Sequence, residues 1–264
     1  MIVVDNDSQK DDSQKVLSAY PGIIYIESGG NLGFGKANNL GYKHSTGRYV
    51  LLLNSDTYLL NNALKSMVDA FDSLPSDVAG IGTLLKAPDG TMNDSYGEFP
   101  SISRTIRTIV GFYSKFVGIK VGPKSTVEVS QTGNFTVPYV TGADLCIRRE
   151  VIEKEGLFDP DFFMYFEETE MQHRYKRKGY QSMIVRGPEI VHLECVSTKG
   201  GKKNKFTYSY VRLFLHGQFL YFRKVYSYPA YLLYRLIYLL YMPMFMRSYY
   251  SWREKLKIVG LFLS

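Results

Sequence analysis

A carboxylate follows directly after an apolar run near residue 50, at a position where metal chemistry is common. Residues 49–53, Tyr-Val-Leu-Leu-Leu, are typical of a buried strand, and the run ends in Asn54-Ser55-Asp56. Open α/β sheets bind ligands at the carboxyl ends of their strands. Oxygen ligands there suit Mg²⁺ or Mn²⁺, which could in turn hold a diphosphate. Alternatively, Asn54 and Asp56 only start a turn or cap a helix near residues 61–62, and the motif alone favours that interpretation.

A second polar group, Asp5-Asn6-Asp7-Ser8, comes immediately after the first apolar run of the chain. A carboxylate there could accept a hydrogen bond from the N3–H of uracil or thymine, or from a ribose hydroxyl. The alternative is an Asx turn followed by a helix cap, with Asp7 or Ser8 in that role.

Residues 29–41 form a Gly- and Asn-rich loop between a predicted strand and a predicted helix. Its glycines would let backbone N–H groups approach a phosphate at the helix N-terminus. Asn38 stands where the third glycine of a dinucleotide-binding motif belongs, and the Gly-Lys-Ser/Thr of a P-loop is missing. A Rossmann dehydrogenase is therefore disfavoured, and a tight loop with an amide-rich helix start remains the alternative.

The segment 158–170 places five carboxylates among aromatic side chains. On a helix that begins near Glu167, Glu167 and Glu170 share a face, whereas Glu168 points elsewhere. The helix dipole alone stabilises carboxylates at such an N-terminus. With so much aromatic surface nearby, the segment also suits a general base in a sugar-binding cleft. His192, at the end of a late strand, could bind a metal through neutral imidazole if it faces Asp56, although a lone histidine there is more often structural.

Short apolar runs alternate with helical patterns over residues 1 to about 100, and this βαβαβαβ order predicts a parallel sheet with helices on both faces. The following segment, residues 83–140, is less regular and is expected to be partly helical over residues 102–117. The predicted strands are 2–4, 23–27, 49–53, 78–81, 182–185 and 189–193, with ordered structure also at 137–148. The predicted helices are 12–20, 36–44, 62–74 and 150–155.

The chain has 264 residues, a formal net charge of +7 and 15% aromatic residues, a combination that fits nucleic acid, an anionic membrane surface or phosphorylated substrates. Much of the basic surplus lies late, beside strongly apolar sequence, which favours a membrane surface. No recognised nucleic-acid-binding module occurs, so we expect no nucleic-acid partner. Cys146 and Cys195 lie far apart without zinc-site spacing, which indicates a reducing compartment.

The C-terminal region after residue 206 is aromatic, basic and apolar. Its charge-free stretch, residues 236–246, is only 11 residues long and contains Pro243, whereas a spanning helix needs about 20 apolar residues. We therefore predict a helical hairpin lying in the plane of a membrane. The alternative is a tail that folds back on the domain core or is buried in a dimer.

Taken together, five segments resemble the family 2 glycosyltransferases of GT-A fold, in particular the rhamnosyltransferase-like branch that builds bacterial surface polysaccharides. The segments lie at residues 3–8, 31–41, 53–57, 141–144 and 158–168. The resemblance covers roughly residues 1–225 and implies an α/β fold with a Rossmann-like mixed sheet. We expect a GT-A domain over residues 1–200 and a membrane-associating helical appendage over residues 201–264.

The resemblance also implies roles for individual residues. The nucleotide donor, UDP- or dTDP-linked, would be bound by Asp5, Asn31, Gly33, Asn38, Asn54, Asp56, Gly142 and Ala143. Asp56 would hold Mg²⁺ or Mn²⁺ on the diphosphate, and His192 falls where the family often has a metal-associated histidine. Glu167 and Glu168 match a Glu-Asp pair whose second member is the catalytic base. The implied reaction is a single inverting displacement on a lipid-linked glycan acceptor, at the inner face of the cell membrane, by a peripheral cytoplasmic enzyme.

Three departures from the family pattern favour a different hypothesis, a truncated or non-catalytic relative that acts as a membrane-associated partner. Glu168 and Glu170 stand where the family usually has Asp. The family also begins with another strand and helix, and this chain starts after them. Because that strand is normally central in the sheet, its loss would leave two unpaired strand edges.

Overall fold

The computed structural model describes residues 1–8, 13–114, 118, 125–193, 199–200, 205–240 and 250–263. The described strands are β1 (Ile2–Asp5), β2 (Ile24–Glu27), β3 (Tyr49–Leu53), β4 (Thr57–Leu59), β5 (Val78–Gly82), β6 (Tyr96–Gly97), β7 (Phe135–Val137), β8 (Tyr139–Val140), β9 (Asp144–Arg148), β10 (Gln181–Ile184), β11 (Ile190–His192), β12 (Lys199–Gly200) and β13 (Lys205–Phe206). The described helices are α1 (Ser13–Ser18), α2 (Phe34–Lys43), α3 (Ala63–Ser73), α4 (Ile102–Ser114), α5 (Arg149–Glu155), α6 (Glu167–Arg177), α7 (Tyr208–Val225), α8 (Tyr228–Leu239) and α9 (Trp252–Leu263).

The chain divides into two compact units. The first contains Met1–Gly97 and Val129–Glu194, and the second contains Glu98–Glu128 and Cys195–Ser264. Residues 98–128 thus belong to the same unit as the C-terminal helices. The predicted division into residues 1–200 and 201–264 assumed instead that each domain is one continuous segment.

A five-stranded sheet with the order β3-β9-β5-β10-β7 is the centre of the first unit. Strand β9 runs antiparallel to both β3 and β5, β10 is parallel to β5, and β7 is antiparallel to β10. The predicted purely parallel sheet is therefore wrong, whereas the mixed sheet implied by the family resemblance is confirmed. The βαβ order could not show this, because the strand that separates β3 from β5 is β9, which begins only at Asp144, long after β5 ends at Gly82.

Helix α3 covers this sheet through one apolar stripe. Ala63, Met67 and Phe71 recur at a spacing of four residues, which places them on one face of a helix. All three are buried, and they join Ile81 of β5 and Cys146 of β9 in one core cluster. Burying a side chain such as Phe71 contributes about 1.5–3 kcal/mol. This packing fixes the connection between β4 and β5, and with it the chain that follows Asp56.

Strands β1 and β2 form a separate parallel pair, in register from Ile2↔Ile24 to Asp5↔Glu27. Within the described residues, β1 pairs only with β2 and β3 pairs only with β9. The two unpaired edges expected from the resemblance are therefore observed. Helix α2 packs on β1, where Gly41 brings the helix against Val4: a methyl group at Gly41 would lie 3.1 Å from Cγ2 of Val4.

Most predicted elements are found with ends displaced by at most two residues. The short strand β4 was not predicted, since three residues with an exposed Tyr58 carry little pattern. Helix α2 begins at Phe34, two residues before its predicted start. Helix α4 is described to Ser114, and the rest of the predicted helix at residues 115–117 lies outside the described residues, as does the predicted start of α1 at residue 12.

The second unit is built from aromatic helices. Tyr221, Phe222 and Tyr234 are fully buried, and the rings of Phe222 and Tyr234 stack with centroids 3.4 Å apart. The hydroxyl of Tyr113 on α4 donates to the carbonyl of Leu240 at 2.8 Å, which ties α4 to the end of α8. None of the helices in the described part of the chain has the length and apolar character needed to cross a bilayer.

Candidate functional site

Asp56 and His192 meet at the end of β3, beside the β4–β11 pair. The register of that pair places His192 opposite Thr57, and the Leu193 amide donates to the Asp56 carbonyl at 2.9 Å. His192 Nε2 lies 3.2 Å from Asp56 Oδ1 and 3.4 Å from Asn54 Nδ2. The helix-cap interpretation of Asp56 is wrong, because β4 follows it and α3 begins only at Ala63. The condition for His192 to be a metal ligand, that it faces Asp56, is met.

The chemistry of this pair fits a hard divalent cation. One carboxylate oxygen and one imidazole nitrogen converge, and the side chains are only 19% and 16% exposed. Among the residues that the structure describes, no group of three or more His, Cys, Asp or Glu side chains could enclose a metal ion. Asp56 and His192 are thus two described side chains that could hold Mg²⁺ or Mn²⁺, and such an ion would keep positions for phosphate oxygens and water.

Asp5 lies at the carboxyl ends of β1 and β2, in a cavity of about 190 Å³ that also contacts Glu27 and Gly29. The Tyr25 hydroxyl donates to Asp5 Oδ2 at 2.7 Å, and the Ser8 amide donates to Oδ1 at 2.8 Å. These hydrogen bonds, Tyr25 first, lower the pKa of Asp5. The carboxylate is therefore charged and oriented, with acceptor capacity left on each oxygen for a nucleobase N–H or a ribose hydroxyl.

Asn6 organises the Gly-rich loop from within. Its side chain donates to Asn31 Oδ1 at 3.2 Å and to the Gly33 carbonyl at 3.3 Å, and its Oδ1 accepts from the Leu32 amide at 2.8 Å. Asn31 Oδ1 also accepts from the Gly33 amide at 3.0 Å. Sequence reasoning included Asn6 in its motif without giving it a role, although an amide that can both donate and accept is suited to such bridging.

Gly33 is required for a close backbone approach. Its φ is +79°, and a methyl group there would lie 2.0 Å from the Phe163 carbonyl oxygen. That oxygen accepts from the Phe34 amide, the first N–H of α2, at 3.0 Å. The amides of Leu32, Gly33 and Phe34 are thus all bonded within the chain, so a phosphate cradle made of these three N–H groups has no support here. Instead, the hydrogen bond from the Phe34 amide to the Phe163 carbonyl holds the segment 158–170, hereafter the acidic segment, against the start of α2.

The acidic segment reaches α6 through two residues with left-handed backbone, Tyr165 at φ 69° and Phe166 at φ 71°. Such conformations cost about 1–3 kcal/mol each in residues other than glycine and cluster at functional sites. Glu167 is buried beside Gly35, and its Oε2 accepts no hydrogen bond from a described residue. Glu168, the next residue, is only partly buried. The strained turn therefore places two acidic residues next to each other at the start of α6.

Burial raises the pKa of both carboxyl groups. For Glu167, the neighbouring Glu168 carboxylate raises the pKa further. A carboxyl group with a raised pKa is a stronger proton acceptor once it is ionised, which is the property a general base needs near neutral pH. Glu170 is different, because its Oε1 accepts from Arg174 Nε at 3.3 Å, and Arg174 also donates to the carbonyls of residues 155–157. Glu170 therefore stabilises α6.

The remaining predicted donor residues are connected by a chain of contacts. A methyl group at Gly142 would lie 3.2 Å from Cζ of Phe34, and the Ala143 carbonyl accepts from the Asn54 amide at 3.0 Å. The Ala143 side chain belongs to the hydrophobic core, so only its backbone can face a ligand. Asn38 donates to the Phe34 carbonyl one turn earlier in α2 at 2.9 Å. The contacts thus run from the acidic segment through Phe34 to the strand end at Asn54.

Asp144, one residue beyond Ala143, is a buried acid that belongs to the segment 141–144 but for which the sequence predicted no role. Its Oδ2 accepts from the Thr83 amide at 2.7 Å and from the Thr83 hydroxyl at 2.6 Å. Its Oδ1 is buried without a hydrogen-bond partner among the described residues. Burial raises the pKa of Asp144 from 3.8 to about 6, against the lowering effect of the Thr83 hydrogen bonds. The sequence signal, an acid at the start of an otherwise apolar strand, is too common to be diagnostic.

This raised pKa predicts a pH-dependent cost to stability. Between about pH 4 and 6 folded Asp144 holds a proton that the unfolded chain has lost, so its contribution falls as pH rises and is lowest above pH 6. We expect Asp144→Asn to gain about 3 kcal/mol relative to the wild type between pH 4 and 7.5. Urea unfolding at several pH values measures this, with Asp94→Asn at an exposed site as control. A pH-independent difference between Asp144→Asn and the wild type would contradict it.

Comparison with known proteins gives a consistent result. The model of the family described as "Glycosyl transferase family 2" matches residues 1–155. An N-acetylglucosaminyl-diphospho-decaprenol L-rhamnosyltransferase of Mycobacterium tuberculosis is 26% identical over 211 residues, which is 75% of this chain and 67% of that protein. The low-salt glycan biosynthesis hexosyltransferase Agl10 of Haloferax volcanii is 26% identical over 182 residues, 67% of this chain and 53% of that protein.

Solved structures with the same fold include GalNAc-T7 with UDP, GalNAc and Mn²⁺, at a TM-score of 0.56 and 16% identity. This match covers 80% of the present chain and 40% of the other. The mannosyltransferase PcManGT of Pyrobaculum calidifontis, in complex with GDP-Man and Mn²⁺, has a TM-score of 0.51 at 16% identity and covers 85% and 54%. These likenesses confirm the GT-A fold. The chain spans between two fifths and two thirds of the length of these relatives.

Proposed function

Because the chain belongs to the family 2 glycosyltransferases, we propose that it moves a sugar from a nucleotide-diphosphate donor to a lipid-linked glycan acceptor in bacterial surface polysaccharide synthesis, inverting the anomeric centre. The observation that carries this proposal is the approach of His192 to Asp56 at 3.2 Å. Strand β11 brings the histidine to the carboxyl end of β3, where α/β sheets bind ligands. Two partly buried metal-type ligands meet there beside the Asn54 amide.

The donor sugar that we propose is rhamnose or a related hexose, carried on dTDP or UDP. The Mycobacterium tuberculosis relative, an N-acetylglucosaminyl-diphospho-decaprenol L-rhamnosyltransferase, supports both the sugar and the acceptor class. The ionised Asp5 carboxylate, oriented by Tyr25 and Ser8, supports a uracil or thymine ring, because each has an N3–H to donate. Asn31, Gly33 and Asn38 would shape the nucleotide end of the site, and Gly142 and Ala143 its sugar end.

In the proposed reaction, Glu168 accepts the proton of an acceptor hydroxyl. The hydroxyl oxygen forms a bond to the anomeric carbon of the donor sugar while the bond from that carbon to the diphosphate oxygen breaks on the opposite face. We assign the base to Glu168 because the family resemblance matches it to the second member of the acidic pair, whereas the Glu167 side chain is packed against Gly35. Glu167 would position the start of α6. Geometry and electrostatic stabilisation supply the rate in such a displacement.

The departing diphosphate needs positive charge near the end of β3. Mg²⁺ or Mn²⁺ held by Asp56 and His192 would neutralise the charge that develops on the leaving oxygens. Without the ion, the Asn54 amide, 3.4 Å from His192 Nε2, would keep this nitrogen turned toward Asp56, and the nitrogen would exchange that contact for the ion when the metal binds.

We also propose that the second unit rests on an anionic membrane surface, at the inner face of the cell membrane, where a lipid-linked acceptor is found. Leu232, Leu233 and Leu236 of α8 and Trp252 and Leu256 of α9 are each at least 46% exposed. Arg253, Lys255 and Lys257 lie on the same helix as the last two. Exposed apolar side chains next to cations are the combination that binds such surfaces.

Donor binding by the full chain tests the transferase proposal. We expect dTDP- and UDP-sugars to bind in the presence of Mn²⁺ and at least tenfold more weakly in EDTA, measured by calorimetry. Transfer of radiolabelled sugar to a GlcNAc-diphospho-lipid would then identify the pair of substrates. Failure of every nucleotide tested to bind with Mn²⁺ would overturn the proposal.

One observation favours a second candidate, a non-catalytic, membrane-associated relative. Within the described residues, the β1–β2 pair that carries Asp5 shares no ladder with the sheet that carries Asp56. A relative of this kind would bind the lipid-linked acceptor or a partner enzyme without turnover. Donor binding with no transfer to any acceptor would favour this candidate.

A further inference from the structure

Backbone hydrogen bonds hold β11, the strand that carries His192, on both of its edges. One edge pairs with β4. On the other edge, the His192 amide donates to the Lys86 carbonyl at 2.9 Å, and the Lys86 amide donates to the Ile190 carbonyl at 3.0 Å. The backbone N–H of His192 is therefore fixed by a part of the chain, residues 83–95, for which the sequence predicted no role.

A side chain from the same part of the chain holds the backbone carbonyl of His192. Asn93 Nδ2 donates to this carbonyl at 2.8 Å, in a partly buried position. The peptide unit that follows His192 is bonded on its other side as well, because its N–H, which belongs to Leu193, donates to the Asp56 carbonyl at 2.9 Å. With both neighbouring peptide planes fixed, the imidazole can change its direction only through the side-chain torsions of His192.

Lys86 and Asn93 lie on the two arms of one hairpin, residues 85–95, whose arms are joined by an antiparallel bridge. The Asn93 amide donates to the Leu85 carbonyl at 2.9 Å. Leu85 is fully buried, and it shares one core cluster with Ile190 of β11. The hairpin is therefore anchored in the same core as the strand that it binds.

The second arm of the hairpin is fixed by Ser95, which is buried. Its hydroxyl accepts from the Leu85 amide at 2.8 Å and donates to the Asn93 carbonyl at 3.0 Å. The Ser95 carbonyl accepts from the Thr141 amide at 3.0 Å, directly before the proposed sugar end of the site. Asn93 is thus bonded at its own N–H and its own carbonyl. Its side-chain amide is preorganised, so little conformational entropy is lost in holding its partner.

We propose that Asn93 is a positioning residue for the metal site, which fixes the backbone of His192 so that Nε2 points to a cation shared with Asp56. This inference rests on the proposed function, in which Asp56 and His192 bind Mg²⁺ or Mn²⁺. Groups that orient a ligand without touching the metal contribute to metal affinity in this way. Without the Asn93 hydrogen bond, the peptide unit after His192 is held on one side only, and the imidazole spends less time in the orientation that the ion requires.

Mn²⁺ affinity of the full chain, measured by electron paramagnetic resonance with saturating UDP, tests this role. Asn93→Ala is expected to weaken Mn²⁺ binding by about tenfold, the lower end of the usual effect of groups that orient a metal ligand. Asn93→Asp keeps the shape of the side chain but cannot donate when ionised, and it should act in the same direction if the alanine variant fails to fold.

Asn134→Ala is the matched control. Asn134 also makes a hydrogen bond from its side chain to the backbone ahead of β11, since its Oδ1 accepts from the Arg186 amide at 2.9 Å. Because this bond lies away from His192, its loss should change Mn²⁺ affinity by less than about threefold. Urea unfolding of the metal-free variants shows in parallel how much each hydrogen bond contributes to stability, independently of the metal.

A double-mutant cycle separates positioning of His192 from a general effect on the fold. Adding Asn93→Ala to His192→Ala should leave Mn²⁺ affinity where His192→Ala alone places it, because no imidazole remains to be oriented. An Asn93→Ala effect that persists undiminished in the His192→Ala background would overturn the proposal. So would unchanged Mn²⁺ affinity in the Asn93 variants, or equal weakening by Asn134→Ala.

The same measurements distinguish this inference from the proposed function. If the wild type binds no Mn²⁺, or if His192→Ala leaves Mn²⁺ affinity unchanged, the metal site itself falls and the role of Asn93 falls with it. If Mn²⁺ affinity drops in His192→Ala but not in the Asn93 variants, only the positioning role is overturned and the proposed function stands.

Discussion

Replacing Glu168 with glutamine is expected to lower kcat by roughly 10²–10⁴-fold, the usual contribution of a general base. The amide has nearly the same shape but cannot accept the proton of the acceptor hydroxyl. Donor binding should change less than threefold, because the proposed donor contacts come from other residues. The measurement is steady-state transfer with donor affinity determined separately, so that a loss of chemistry is distinguished from a loss of binding.

Glu167→Gln is the matched comparison, because the two carboxyl groups are adjacent and burial raises the pKa of both. Glu167 is buried beside Gly35, so its replacement should cost less than about tenfold in kcat and act mainly on stability. In the wild type, kcat/KM should rise with pH through a pKa above the ordinary glutamate value, since Glu168 works as the ionised base. Unchanged turnover in Glu168→Gln, or a larger loss in Glu167→Gln, would refute the assignment.

Replacing Asp56 with asparagine is expected to lower kcat/KM by about 10²–10³-fold and to abolish the Mn²⁺ dependence of donor binding. Stabilisation of a leaving group by a metal is worth several kcal/mol, and about 1.4 kcal/mol corresponds to tenfold in rate. Asparagine keeps the shape and the Asp56 backbone contact to Leu193 but removes the negative ligand. His192→Ala should show the same pattern with a smaller effect, because one charged ligand would remain.

Ser55→Ala is the control for both variants, since Ser55 lies in the same turn and is exposed. Mn²⁺ affinity, followed by electron paramagnetic resonance in the presence of donor, reports the metal directly, and residual donor binding in EDTA should match the wild type. Full transfer activity of the wild type in EDTA would remove the metal from the proposal.

The local features of this chain are those that its sequence predicted best. Local patterns of apolar residues predicted both the strand that ends at Leu53 and the helix that buries Ala63, Met67 and Phe71. The sequence predicted His192 as a metal ligand only on the condition that it faces Asp56. Whether it does could not be predicted, because strand pairing at long sequence separation leaves no local pattern. For the same reason the insertion of β9 between β3 and β5 was missed.

The partners of polar side chains were the least predictable part. The Tyr25 hydroxyl donates to Asp5, and the Asn6 side chain donates to Asn31. Neither donor could be identified from the sequence, because tyrosine is common in strands and asparagine is common in turns. The Gly-rich loop shows the same limit: glycine at position 33 indicates a close approach, but the sequence does not say that the approaching group is the Phe163 carbonyl. A glycine reveals a steric requirement without revealing its partner.

Because β4 pairs with β11, the number of residues that precede β11 determines which of its side chains face Asp56. Side chains alternate between the two faces of a strand, so a slip of one residue along this ladder would turn His192 away from Asp56. The five residues 185–189, between β10 and β11, set that register. Relatives with an inserted or deleted residue there could keep every motif of the family and still lack the site. In this chain, then, the length of the connection at residues 185–189 determines whether His192 faces Asp56.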